Sequence, residues 1–165
     1  AMDASWRTLE IHRVNIIAWK LQRAQLANFA EKFKPDIIMA ESNGVGDPLI
    51  ENLRDELPFP ISGFVTSNQS KIKIINQLAI AIERGRVTYP DFPPLISELH
   101  AYEMSITKAR NIVFGGEGRW HDDCVMSLAI ALEAHGNARA FHVDEGEQYK
   151  TPFRVRGHLA TAKAM

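Results

Sequence analysis

Cysteine is nearly absent: Cys124 is the only one in 165 residues, so the chain holds no internal disulfide and no cysteine-based zinc site. Cysteine usage of this kind, with the thiol inside an apolar run, points to a reducing, cytoplasmic setting. No apolar stretch approaches the ~18 residues of a membrane-crossing helix, and no basic-then-apolar leader opens the chain, so neither a span nor a signal peptide is expected. Histidines are few, and His12, His100, His135, His142 and His158 show no metal-ligand spacing, which argues against zinc. Gly44 and Gly46 are followed by neither G-x-G-x-x-G nor G-K-[ST], so that segment is not a phosphate-cradling loop. Charge of one sign is lacking too. A formal charge of -1 gives no global pull on a polyanion, and any nucleic acid must be met by local basic patches. What is present is 45% hydrophobic and 24% charged residues, the proportions of one globular domain. A chain of this length removes about 70% of its unfolded surface from water and needs no cross-link to hold a core.

Along the chain, extended and helical patterns alternate. Residues 6–17 (WRTLEIHRVNII) are rich in β-branched and apolar types and read as a strand. Ala18, Leu21, Leu26, Phe29 and Phe33 follow at helical spacing up to the stop at Lys34 and Pro35. Residues 36–40 (DIIMA) form a short apolar run, the pattern of a strand covered on both faces, and end at Glu41. After the turn SNGVG, Asp47 can cap and Pro48 can open a helix that turns Leu49, Ile50, Leu53 and Leu57 inward. A third strand is read over 61–66. Ser70 then caps a helix carrying Ile72, Ile75, Leu78, Ala79 and Ile82, with Gly85 at its end. A brief strand is expected over 86–89, a helix over 93–102, a hairpin over 104–114 with its turn at 108–111, and a helix from Asp122 to His135 stopped by Gly136. Residues 1–143 read as one domain and 144–165, which lose apolar periodicity, as an irregular tail. The alternation predicts an α/β layer structure, in which chemistry gathers beyond the carboxyl ends of the strands.

Glu41 falls at such an end. An ionised group there costs several kcal/mol to desolvate unless something cationic meets it. Asp122 and Asp123 open the last long helix, about 100° apart around its axis, so one or both can look toward the sheet. If these carboxylates converge, repulsion is relieved by raised pKa values or by bound divalent cations. Oxygen-only ligands select magnesium or manganese, and two such ions roughly 3.5–4 Å apart would clamp the two oxygens of a phosphodiester displacement. The alternative is that the aspartates cap the helix and complement its dipole, and that His121 is a structural residue at the same helix start.

The stretches "PDIIMAESNGVGDPLIENL", "GFVTSNQSKIKIINQLAIAIERGRVTYPD", "LISELHAYE" and "GEGRWHDDCVMSLAIAL", in this order and spacing, resemble the nuclease domain of bacteriophage terminase large subunits, the DNA-packaging motors of tailed phages. The resemblance runs from about His12 to Leu132, with E-x-N-G-x-G and H-D-D-x-V-M-x-L-A as its strongest motifs. It implies a ribonuclease-H-like mixed sheet flanked by helices, with acids holding two Mg2+ or Mn2+ ions that cut duplex DNA. By that likeness Glu41 is the second acid of the set, Asp122 and Asp123 hold the third position with Asp123 favoured as principal ligand, and Asn43, Lys71 and His121 support them. Lys71, Lys73, Lys108, Arg110 and Arg119 are the candidates for DNA phosphate.

Family members open with a strand bearing the first acid, and no such strand precedes Trp6 here. Asp3 does not stand where that acid would. The expectation is therefore a domain without its first strand, with weak or absent metal binding and cleavage by this chain alone. The implied partners are double-stranded DNA, a preceding ATPase domain, the small terminase subunit and the portal, in the host cytoplasm and away from membranes. Two other readings are a recombination nuclease of the same fold class, such as a junction resolvase, and a non-catalytic module docking on the portal.

Overall fold

The computed structural model describes residues 1–43, 46–106, 112–116 and 122–144. Helix α1 (Trp19–Phe33) ends at Lys34, whose left-handed backbone (φ 45°) turns the chain toward Pro35. Strand β1 (Ile38–Glu41) follows, then α2 (Gly46–Glu56) and β2 (Ile61–Phe64). The two strands pair in parallel from Ile38 opposite Ile61 to Glu41 opposite Phe64. Such a pair needs a crossover, which α2 supplies. Helix α3 (Asn68–Glu83) ends near Gly85, whose φ of 61° suits a residue without a Cβ. Helix α4 (Pro93–Ala101) begins with two prolines, tolerated in a first turn that has no amide bonds to make. It runs directly into β3 (Tyr102–Ile106), antiparallel to β4 (Ile112–Gly116), as the expected hairpin requires; its turn lies outside the described residues. Helix α5 (Asp123–Asp144) completes the order.

Two apolar clusters hold these elements. The larger joins α3, α4 and α5 around Ile74, Leu95 and Val125, all essentially without exposure, and Met39 of β1 and Phe64 of β2 pack on it. The smaller joins α2 to the parallel pair through Ile50, Leu53, Leu57 and Ile61, with Leu26 of α1 against it. Each fully buried aliphatic side chain contributes about 1.5–3 kcal/mol. The parallel pair is thus held between α2 on one side and α5 on the other, which fixes where Glu41 emerges.

Four expectations need correction. Residues 6–17 do not form a strand. They make two isolated bridges, Met2 with Thr8 and Arg7 with Thr88, and take positive φ at Trp6 and Ile16. β-Branched composition measures fit to a half-buried surface and says nothing of whether a ladder partner is present. The strand expected over 86–89 reduces to the partner half of that second bridge. The cap of α3 is Ser67, not Ser70: Ser70 N donates to Ser67 Oγ (3.1 Å) and Ser67 N donates to Ser70 Oγ (2.8 Å), so both serines share one capping box. Gly136 does not stop α5, which continues to Asp144. An interior glycine costs a helix only about 1 kcal/mol relative to alanine, and the chain after it returns to helix-compatible residues. The expected tail over 144–165 lies outside the described residues from 145 onward.

Candidate nuclease site

At the carboxyl end of the parallel pair the ladder does not simply stop. Ser42 N donates to Phe64 O (3.0 Å), extending it by one step. The side chain of Asn43 then continues it: Nδ2 donates to Thr66 O (2.6 Å) and Oδ1 accepts from Thr66 N (2.7 Å). The loop that follows Glu41 is thereby tied to the one leading into α3. One residue past Thr66, Ser67 caps α3. Lys71, in the first turn of that helix, reaches across to α5, where its Nζ lies 2.7 Å from Asp122 Oδ2. A continuous set of bonds therefore runs from Glu41's loop through Asn43, Thr66 and Lys71 to Asp122. The loop that follows Glu41 and the carboxylate that precedes α5 are both tied to the segment that opens α3.

Asp122 has a second neighbour. The Tyr102 phenol is pushed well above its ordinary pKa, first by burial and then by the charge and hydrogen bond of Asp122. The Lys71 ammonium lies 6.0 Å from the centre of the Tyr102 ring. Carboxylate, ammonium and phenol thus form one partly buried group.

Asp123 faces elsewhere. It is exposed and lines a cavity of about 320 Å3 between the 8–14 segment, α1 and α5, whose walls include Thr8, Arg13, Trp19, Leu26 and Leu128. Asp122 precedes the helix and Asp123 is its first residue, and the two side chains meet different neighbours. Glu41 is also exposed. Among the described residues, no three acids, histidines or cysteines come close enough together to form a metal cage.

The alternative that the aspartates serve as helix caps meets a specific obstacle. The first-turn amides of α5 are satisfied by Glu98 of α4: Cys124 N donates to Glu98 Oε2 at 2.7 Å and Val125 N at 3.1 Å. Glu98 is only 6% exposed, and Arg13 Nη2 stands 3.9 Å from its other oxygen. A carboxylate supplied from a neighbouring helix does the capping and complements the dipole. The sequence reading missed both Glu98 and Tyr102. A faint signal for Glu98 existed, since it lies three residues after Leu95 and so on the buried face of α4; nothing in the sequence marked Tyr102 as Asp122's neighbour. The cap also explains Cys124. Burial, then the hydrogen bond and charge of Glu98, push this thiol up to about 11.

Of the five basic candidates, Lys71 pairs with Asp122. Lys73 lies on another side of α3 and pairs with Glu133 (2.7 Å), roughly three turns along α5 from Asp122. Lys108, Arg110, Arg119 and the supporting candidate His121 lie outside the described residues. Among the described residues, no helix is long and apolar enough to cross a membrane.

The sequence matches the model of the terminase RNaseH-like domain over residues 1–135. A terminase large subunit of Thermus phage G20c is 30% identical over 142 residues, covering 84% of this chain and 28% of that protein. The chain therefore spans little more than a quarter of that relative. Among solved structures, the large terminase nuclease from thermophilic phage G20c with bound cobalt superposes at a TM-score of 0.66 and 32% identity, over 73% of this chain and 64% of that one. The same nuclease with bound magnesium gives 0.64 and 31%, over 71% and 62%.

Proposed function

Because the chain belongs to the terminase RNaseH-like domain family, we propose that it is the nuclease part of a viral packaging motor, a Mg2+- or Mn2+-dependent endodeoxyribonuclease that cuts concatemeric duplex DNA. The observation that supports this reading is the bonded path from the Glu41 loop to Asp122 beyond the carboxyl end of a parallel pair, with Glu98, and not Asp122 or Asp123, capping α5. Cobalt and magnesium in the related nuclease structures support the divalent-ion part of it.

The residues suit a hard divalent ion in chemistry. The donors are carboxylate oxygens, the kind magnesium and manganese prefer, and a cation already rests against one of them in the form of the Lys71 ammonium. Glu41 and Asp122 are the acids we assign to the metal; Asp123, favoured as principal ligand from the sequence, lines the cavity on the other side of the helix start and is not part of that pair. Bound by that pair, the metal would supply Lewis-acid activation of water and stabilisation of charge on the leaving oxygen. This chain's own residues do the rest. Asn43 fixes the direction in which the Glu41 loop leaves the sheet, Glu98 fixes the first turn of α5, and Lys71 offers a positive group to a phosphate brought to the site. Among the described residues the polar groups here are carboxylates, an ammonium and an amide committed to backbone, which suits cutting governed by position and not by sequence.

The test is cleavage of supercoiled plasmid by the full-length protein. With Mg2+ or Mn2+ it should nick and linearise the DNA, and Glu41→Gln or Asp122→Asn should lower the rate by at least about a hundredfold. Full activity in both variants would remove these acids from the reaction, and metal-independent cutting would remove the mechanism.

A further inference from the structure

Lys71 and Asp122 form an ion pair at 2.7 Å with each side chain only about a quarter exposed, 23% and 27%. That burial is unusual for a lysine on the first turn of a helix, where its charge opposes the positive end of the dipole. Three features hold it there. The capping box of Ser67 and Ser70 fixes the turn from which it projects, the Tyr102 ring lies beneath its ammonium, and Tyr102 also contacts the carboxylate that the ammonium meets. The adjacent Asp123 has no such guard and stands exposed on the other side of the helix start.

We propose that Lys71 is a built-in placeholder cation: it neutralises Asp122 while the site holds no metal, and a divalent ion must displace its ammonium before Asp122 can act as a ligand. This rests on the nuclease reading above and adds to it an order of events: Asp122 becomes available to an arriving ion only after the ammonium has swung away. An unpaired carboxylate in a partly buried setting is costly, so an internal counter-ion keeps the metal-free site folded. The same pairing lowers the net affinity for metal, because part of the binding energy goes into separating lysine from aspartate.

The experiment compares Co2+ binding, by calorimetry and by the visible absorption of the ion, in the full-length protein and its Lys71→Met, Asp122→Asn and doubly substituted forms. Work at about 0.5 M NaCl suppresses the influence of distant charges. Lys71→Met should bind Co2+ roughly threefold or more tightly than the parent, the loss of a competing, partly exposed ion pair. In the Asp122→Asn background the same substitution should change nothing, since no carboxylate remains to be guarded. Lys20→Met, on an exposed face of α1, should leave affinity where it was. Unchanged or weaker binding by Lys71→Met, or a gain that persists without Asp122, would overturn the placeholder while leaving the nuclease reading intact. A parent polypeptide and a Lys71→Met form that both fail to bind Co2+ would overturn both.

Discussion

Replacing Glu98 by alanine strips the cap from α5 and leaves the amides of Cys124 and Val125 facing a closed interior. The carboxylate is 6% exposed, so water cannot easily take its place. Loss of a helix cap costs about 1 kcal/mol, and each buried amide left without an acceptor adds roughly 1–3 kcal/mol. The void left by the shortened side chain adds to this, and relaxation of the first turn subtracts from it. A loss of about 2–4 kcal/mol is expected, or a fall in Tm of roughly 5–15 °C for a domain of this length. Glu98→Gln keeps the shape and one acceptor oxygen, and should cost less than half as much. Urea titrations of the three proteins with a common m-value, backed by calorimetric Tm, measure the difference. An alanine variant within about 0.5 kcal/mol of the parent would show that the cap is dispensable, and the argument that frees Asp122 and Asp123 from capping α5 would fail with it.

Other consequences can be checked alongside. Asn43→Ala removes two hydrogen bonds of 2.6 and 2.7 Å at a solvent-facing loop and should cost about 1–2 kcal/mol in urea titration, while cleavage by the full-length protein should fall further than stability because the Glu41 loop loses its direction. The Cys124 thiol, raised from 9.0 to about 11, stays protonated in the folded state. Its raised value favours the fold below pH 9, and that contribution should fade between about pH 9 and 11, a loss absent from Cys124→Ala in stability measured against pH. By the same shift, iodoacetamide at pH 8 should label the native thiol far more slowly than the urea-unfolded one.

Much of the architecture was legible because its signals are local. Apolar residues at helical spacing marked α1, α2 and α3, and the short run before Glu41 marked β1, since period and length are properties of the segment itself. Residues 6–17 misled because the same β-branched content suits a strand and an irregular segment packed on a core; only a neighbouring ladder decides between them. Ser67 and Ser70 were confused because reciprocal capping leaves both positions with the same composition. In the candidate site, Glu41, Asp122 and Asp123 stood out as charged residues against apolar runs. Which way each aspartate turns, and that Tyr102 and Lys71 meet one of them, depends on residues distant in sequence. Glu98 was hidden for a related reason, because an acid within a helix usually means a solvated face and its partners lie 26 and 27 positions away.

The Asn43 bridge to Thr66 narrows what can stand at that position. A carboxamide presents one donor and one acceptor at the separation of a peptide unit, so it substitutes for a missing rung of backbone. Aspartate would meet Thr66 O with a second acceptor and repel it, glutamine would overshoot by a methylene, and serine would reach too little. Side-chain mimicry of the main chain carries the pairing of the two segments past Glu41 and Ser42, making a single amide the last rung between them.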